Sequence, residues 1–229
     1  MENSKAQSDI VTAILIVVIA LGLVATAYTW GLPLIQKSQD TGVVERISSF
    51  FDQKNTNSLP SRIEFVANNG GEQTFSLDAN GGWILHACPS NEIPSCNPSH
   101  DDIASNEFNS IEFKFFGKVT NIASGVGFVS LTPGASCPPG KGILGQDKSS
   151  VVCAKADSTG DGYTITYKIY FRELEEAGST RSFKIDLTKH ESSLYSSNGK
   201  SLKISRQSIE QVSSGGKTLI IPEIKVLLE

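Results

Sequence analysis

Ile10-Val11-Thr12-Ala13-Ile14-Leu15-Ile16-Val17-Val18-Ile19-Ala20-Leu21-Gly22-Leu23-Val24-Ala25-Thr26-Ala27-Tyr28-Thr29-Trp30-Gly31-Leu32-Pro33-Leu34-Ile35 contains no charged side chain. As a helix rising about 1.5 Å per residue, the run would be roughly 39 Å long, more than the ~30 Å hydrocarbon thickness of a bilayer. It is apolar on every side, so lipid or other apolar helices must surround it. Tyr28 and Trp30 carry amphipathic rings that favour the headgroup layer and place the exit into water near Gly31. A secretory signal would have a shorter apolar part followed by a small-residue cleavage site. Here the polar head from Met1 to Ala6 is short and the run is long, which reads as a retained single-span anchor. Lys5 precedes the run, while Lys37 and Arg46 follow it, so basic residues do not orient it.

The rest of the 229-residue chain has the make-up of a water-soluble protein and is long enough for a sizeable core. A net charge of -4 with no basic stripe excludes nucleic acid as a partner. Cys88, Cys96, Cys137 and Cys153 all follow the apolar run, and an oxidising exterior suits an even set. Three pairings are open, and four reduced thiols are the alternative. The local pairing, Cys88 with Cys96 and Cys137 with Cys153, would contribute roughly 2.5–3 kcal/mol per bridge in the chain-entropy model.

Val43, Val44, Ile47, Phe50 and Phe51 have helical spacing, extending the helix to about Asp52 as an amphipathic second half that docks on the head. Pro33 removes one backbone hydrogen bond and predicts a kink near Gly31, unless a new helix starts there. Residues 54–61 read as a linker. From Arg62 onward, short alternating or β-branched runs are separated by Gly, Asn, Asp, Ser and Pro. The predicted strands are 62–67, 74–77, 83–87, 110–119, 127–131, 151–155, 163–172, 181–187, 201–205 and 218–228. Asn69-Gly70-Gly71 and Asn80-Gly81-Gly82 read as hairpin turns. About ten such strands predict a β-sandwich, with Ile111, Phe113, Phe115 and Ile165, Tyr167, Ile169, Phe171 facing its core. Pro222 predicts an edge or a bulge in the last strand. The fold class is therefore α+β, a long N-terminal hydrophobic helix followed by a β-sandwich head.

Motifs for catalysis fail on inspection. His190-Glu191-Ser192-Ser193-Leu194 places leucine where a zinc-protease helix needs its second histidine. Gly134 to Gly140-Lys141-Gly142 is one residue too long for a phosphate loop and has glycine in place of the magnesium-binding hydroxyl. His86, Cys88, Cys96 and His100 offer two sulfurs and two nitrogens to zinc, but their spacing is not that of a finger and an exported chain would oxidise the thiols. Asp157, Thr159 and Asp161 alternate before Gly162 as in the first half of a calcium loop. The bidentate acid of such a loop would fall at Lys168, so the segment reads as a solvated hairpin turn. The expectation is no enzyme, no metal and no cofactor.

Lys5-Ala6-Gln7-Ser8-Asp9-Ile10-Val11, set directly before the apolar run, resembles the processing site of archaeal type IV pilin-like proteins, the class III signal peptide. Trp30-Gly31-Leu32-Pro33-Leu34-Ile35-Gln36-Lys37 is similar to the segment that ends the helix in the same family. The resemblance covers about the first 50 residues. It implies cleavage by a prepilin peptidase between Ala6 and Gln7, on the cytoplasmic side, with the helix retained in the mature chain. Many relatives carry glutamate at the fifth mature position, where this sequence has Val11 and its nearest acid is Asp9. The implied organisation is a leader over 1–6, a helix over 7–53, a linker over 54–61 and an extracellular head over 62–229. The implied function is a non-catalytic subunit of an adhesive surface filament, inserted in the cytoplasmic membrane and then polymerised by an assembly machine. Asp9, Ile14, Val18, Leu21, Gly22, Ala25, Tyr28, Trp30 and Pro33 would lie in the filament core. The small residues Ala20, Gly22, Ala25, Thr26 and Ala27 would let helices approach closely. An archaellin-type motility subunit and a single-span anchored binding domain are the alternatives.

Overall fold

A computed structural model describes residues 3–87 and 109–229, excepting the side chains of 3–10 and of 214. The chain divides into two units, one ending at Gly42 and the other running from Val43 to Glu229. Helix α1 (Asn3–Phe51) forms the first unit as far as Gly42, and its remaining turns from Val43 belong to the second. The assigned helix runs unbroken through Pro33. The ring removes one hydrogen bond, and the neighbouring turns keep the remaining ladder.

The linker is shorter than the expected 54–61. Asp52 and Asn55 side chains accept from the Lys54 and Asn57 backbone N–H groups, each at 3.0 Å, and turn the chain. Helix α2 (Leu59–Asn69) then starts, in place of the strand that alternation predicts over 62–67. Ile63, Phe65 and Ala67 imitate strand alternation, but the buried set is Leu59, Ile63, Val66 and Ala67, which has helical spacing, and Phe65 is exposed. Pro60 sits in the first turn, where its missing N–H needs no partner. The helix stops at Gly70, whose φ of +82° suits glycine. A Cβ there would also lie 2.7 Å from the Arg206 guanidinium, which donates to the Ala67 and Asn68 carbonyls at the helix end.

The described strands are β1 (Glu72–Ser76), β2 (Gly81–His86), β3 (Ser110–Gly117), β4 (Val129–Ser130), β5 (Gly142–Ile143), β6 (Ser150–Ser158), β7 (Tyr163–Phe171), β8 (Leu174–Glu175), β9 (Arg181–Phe183), β10 (Asp186–Lys189), β11 (Ser196–Ser197), β12 (Ser201–Ser214) and β13 (Lys217–Leu228). They form two sheets, ordered β1-β12-β13-β9-β8-β5 with β10 also beside β13, and β11-β2-β3-β7-β6-β4. Neither Asn-Gly-Gly segment is a hairpin. The first joins α2 to β1, and the second carries the chain from one sheet to the other. The expected strand over 181–187 is two strands, β9 and β10, both parallel to β13.

Pro222 is not at an edge, because β13 has neighbours on both sides. Thr218, Ile220 and Val226 direct backbone groups toward β9 and the strand after it, so by alternation Pro222 does too. It falls between Ile220, the last partner of β9, and Glu223, the first partner of β10, where no donor is required. The expected bulge lies instead in β12, between Arg206 and Ser208.

The core lies between the sheets. Ile111, Phe113, Phe115, Ile165, Tyr167 and Ile169 meet Leu202, Ile204, Ile224 and Val226, together with α2 and the α1 residues Val44, Ile47 and Phe51. Phe51 stacks on Tyr167 with ring centroids 4.8 Å apart. Each such large side chain contributes about 1.5–3 kcal/mol when fully buried. Asn109 ties the sheets together: its amide donates to the Phe171 and Ile185 carbonyls at 3.2 and 2.5 Å, and its oxygen accepts from the Leu187 N–H at 2.9 Å.

Candidate functional site

The most unusual surface is that of α1. From Val11 to Val24 its large apolar side chains are 52–67% exposed, and Tyr28 and Trp30 are more than two-thirds exposed. Among the described residues, α1 is the one helix long and apolar enough to cross a membrane. Water rejects such a surface, and at about 25 cal/mol per Å² of apolar area the penalty is large. Two of its hydroxyls are satisfied within the helix itself. The Thr26 hydroxyl donates to the Gly22 carbonyl at 2.7 Å, and that of Thr29 donates to the Thr26 carbonyl at 3.0 Å. Lipid or another helix can therefore cover Ile14, Val18, Leu21, Gly22 and Ala25 without stranding these hydroxyls. Nothing lies within 4 Å of a Cβ built on Gly22, so close approach is open there. Ala6, Gln7 and Asp9 fall in the first turns of α1, and their side chains lie outside the described residues.

In the head, Cys137 is bonded to Cys153 with Cα atoms 6.1 Å apart, as in the local pairing. Cys88, Cys96 and His100 lie outside the described residues. Cys153 of β6 faces away from the main core and forms a second cluster with Val151 and Tyr170, packed against Phe128, Ala135 and Cys137. The bridge thus holds the segment around Ala135 and Cys137 against the outer face of this sheet. The segment 157–162 spans the end of β6, at Ser158, and the hairpin turn 159–162 that leads into β7. Asp157 is paired with Lys155 at 2.8 Å, Thr159 N–H donates to the Gly162 carbonyl, and Lys168 lies in mid-strand opposite Cys153.

Three features are not marked by any sequence motif. Glu112, buried on the outer face of β3, lies 3.0 Å from His86 Nε2, 2.7 Å from Lys114 Nζ and 4.0 Å from Lys168 Nζ. Burial alone would raise its carboxyl, but hydrogen bonds from His86 and Lys114 outweigh that and hold it at about 2. The Asp186 carboxyl is pushed up to about 6 by burial, with Glu223 adding to the rise and Lys184 opposing it. A cavity of about 430 Å³ lies beside the last turns of α1, lined by Glu45, Phe51, Asp52 and Gln53 together with Asn121 and Leu131. Alternation flags Glu112 only as outward-facing, and His86 and Lys168, like the far walls of the cavity, are distant in sequence. Comparisons with protein-family models, curated proteins and solved structures each yield no match.

Proposed function

We propose that this chain is the structural subunit of an archaeal type IV pilus-like surface filament, which serves adhesion and polymerises through α1. In this reading a prepilin peptidase removes residues 1–6, and the subunit waits in the cytoplasmic membrane with α1 in lipid. An assembly machine then transfers it to an extracellular homopolymer. The observation that carries the reading is the apolar circumference of α1 from Val11 to Ile35, which has to be covered by something other than water. Lipid supplies most of the apolar gain before assembly. The preference for the polymer then rests on helix packing at small residues such as Gly22 and Ala25. A bridged, β-rich head suits an exposed outer surface.

Intact-mass measurement of the chain from sheared, sedimented surface material tests this. The expected mass is that of a chain beginning at Gln7, recovered in the polymer pellet. A chain still beginning at Met1, found only in the membrane fraction with nothing sedimenting, would overturn it.

A further inference from the structure

Strand β12 is a sheet edge along only part of its length. From Ser201 to Ser205 it is covered by β1, but from Gln207 to Ser213 no described strand lies on that side, while β13 pairs with it on the other up to Ser214. The backbone directions there follow from β13. The Thr218 N–H donates to the Thr180 carbonyl and the Ile220 carbonyl accepts from the Lys184 N–H, both away from β12. Leu219, Ile221 and Glu223 therefore turn toward β12, where they meet Val212, Glu210 and Ser208. Ile209, Gln211 and Ser213 are left presenting their N–H and C=O groups outward, on the side where the Arg206 N–H reaches the Gly71 carbonyl ahead of the bulge. All five residues from Ile209 to Ser213 are exposed, Ile209 at 55% and Val212 at 39%.

An edge of this kind takes an extended strand as its occupant, and natural sheets guard against that with lysine, proline or a covering loop. Gln207-Ser208-Ile209-Glu210-Gln211-Val212-Ser213 contains no lysine and no proline, and Glu210 is its single charge. The same edge of a second copy is a matching occupant. Placed antiparallel about Gln211, the two segments oppose Gln211 to Gln211 and Ile209 to Ser213, so every outward N–H and C=O of these residues closes a hydrogen bond. Glu210 then faces Val212. A pair centred on Glu210 would set two carboxylates against each other, and one centred on Val212 would set Ile209 opposite Gly215, in the turn. We propose that two copies of the head join edge to edge through β12, in an isologous antiparallel pair centred on Gln211 that makes one continuous sheet across both. The contact is independent of what covers α1.

The test is cysteine scanning of the full-length chain in detergent, oxidised and run on non-reducing gels, with the wild type as control for its native cysteines. Opposed residues of an antiparallel pair have Cα atoms about 5.5 Å apart, within disulfide reach, and same-face residues offset by two lie beyond it. Gln211→Cys is therefore expected to give about tenfold more covalent dimer than Glu210→Cys or Val212→Cys. Ile209→Cys and Ser213→Cys should crosslink when mixed and not singly. Adding Gln211→Pro to both removes only an outward N–H and spares the pairing with β13. It should abolish that crosslink while peptide mapping finds Cys137–Cys153 intact. Dimer from Gln211→Cys at or below the level from Glu210→Cys, or a crosslink from the mixture that survives Gln211→Pro, would overturn the proposal. Because the readout is confined to β12, either result leaves the filament reading to its own test.

Discussion

Asn109 is the residue whose loss the head should feel most. It is buried and makes three hydrogen bonds between the two sheets, so Asn109→Ala strands two carbonyls and one N–H away from water. The expected loss is about 3 kcal/mol, read as a lower denaturant midpoint of the chain in detergent. Tyr167 should behave in the opposite way. Its hydroxyl is fully buried, and Ser48 interacts with it without closing a well-formed hydrogen bond. Tyr167→Phe keeps the ring stacked on Phe51 and removes an unsatisfied group, so the midpoint should rise by the equivalent of about 1 kcal/mol.

Asp186 gives stability a pH dependence with a definite sign. Its carboxyl titrates at about 6 when folded against an ordinary value of 3.8, so the folded state keeps a proton that the unfolded chain releases. Stability contributed by this group is full below about pH 4 and declines as pH rises to about 6, by up to about 3 kcal/mol. Glu112 acts the other way: its folded value of about 2 lies below 4.5, so its contribution is full above that and is lost as pH falls toward 2. Asp186→Asn should therefore be more stable than wild type at pH 7 and match it at pH 4, measured by denaturant titration at both values. An unchanged difference at the two pH values would refute the assignment.

Among the elements, the disulfide-held connection and the two helices govern what mutation should do. The Cys137–Cys153 bridge closes a loop of 16 residues, worth about 3 kcal/mol in the chain-entropy model. Cys137→Ser should lower the unfolding midpoint by that order and make the 118–149 connection the first site of limited proteolysis. On α1, Val18→Lys puts a charge in the middle of the apolar surface. It should abolish recovery of polymer while leaving Cys137–Cys153 formed in the head, which non-reducing peptide mapping checks. Helix α1 is legible in the sequence because an uncharged run of that length has few other uses, and β3 and β7 are legible because their alternation is long and regular. Helix α2 is not, because Ile63, Phe65 and Ala67 offer a strand period while the helical set that wins depends on a core contributed by β1, β12 and β13. The parallel placement of β9 and β10 beside β13 is equally hidden, since sequence-local turns say nothing about non-local neighbours. Pro222 reads as an edge mark and instead sits in a gap between two partners, which only the complete sheet supplies.

At the scale of the whole molecule, a head with a well-buried core shares a chain with a helix whose apolar side chains face outward on every side. Of the candidate site, the helix itself can be read from the sequence, whereas the cavity beside its last turns cannot, because Asn121, Leu131 and Val152 reach it from distant strands and loops. The central claim is that α1 persists in the finished protein and is buried among copies of itself. Electron cryomicroscopy of sheared surface filaments from producing cells tests it most directly. The predicted result is density for this chain beginning at Gln7, with residues 11–35 of many copies packed together at the filament axis. Filaments that contain no trace of the chain, with every copy recovered singly from the lipid fraction, would contradict it.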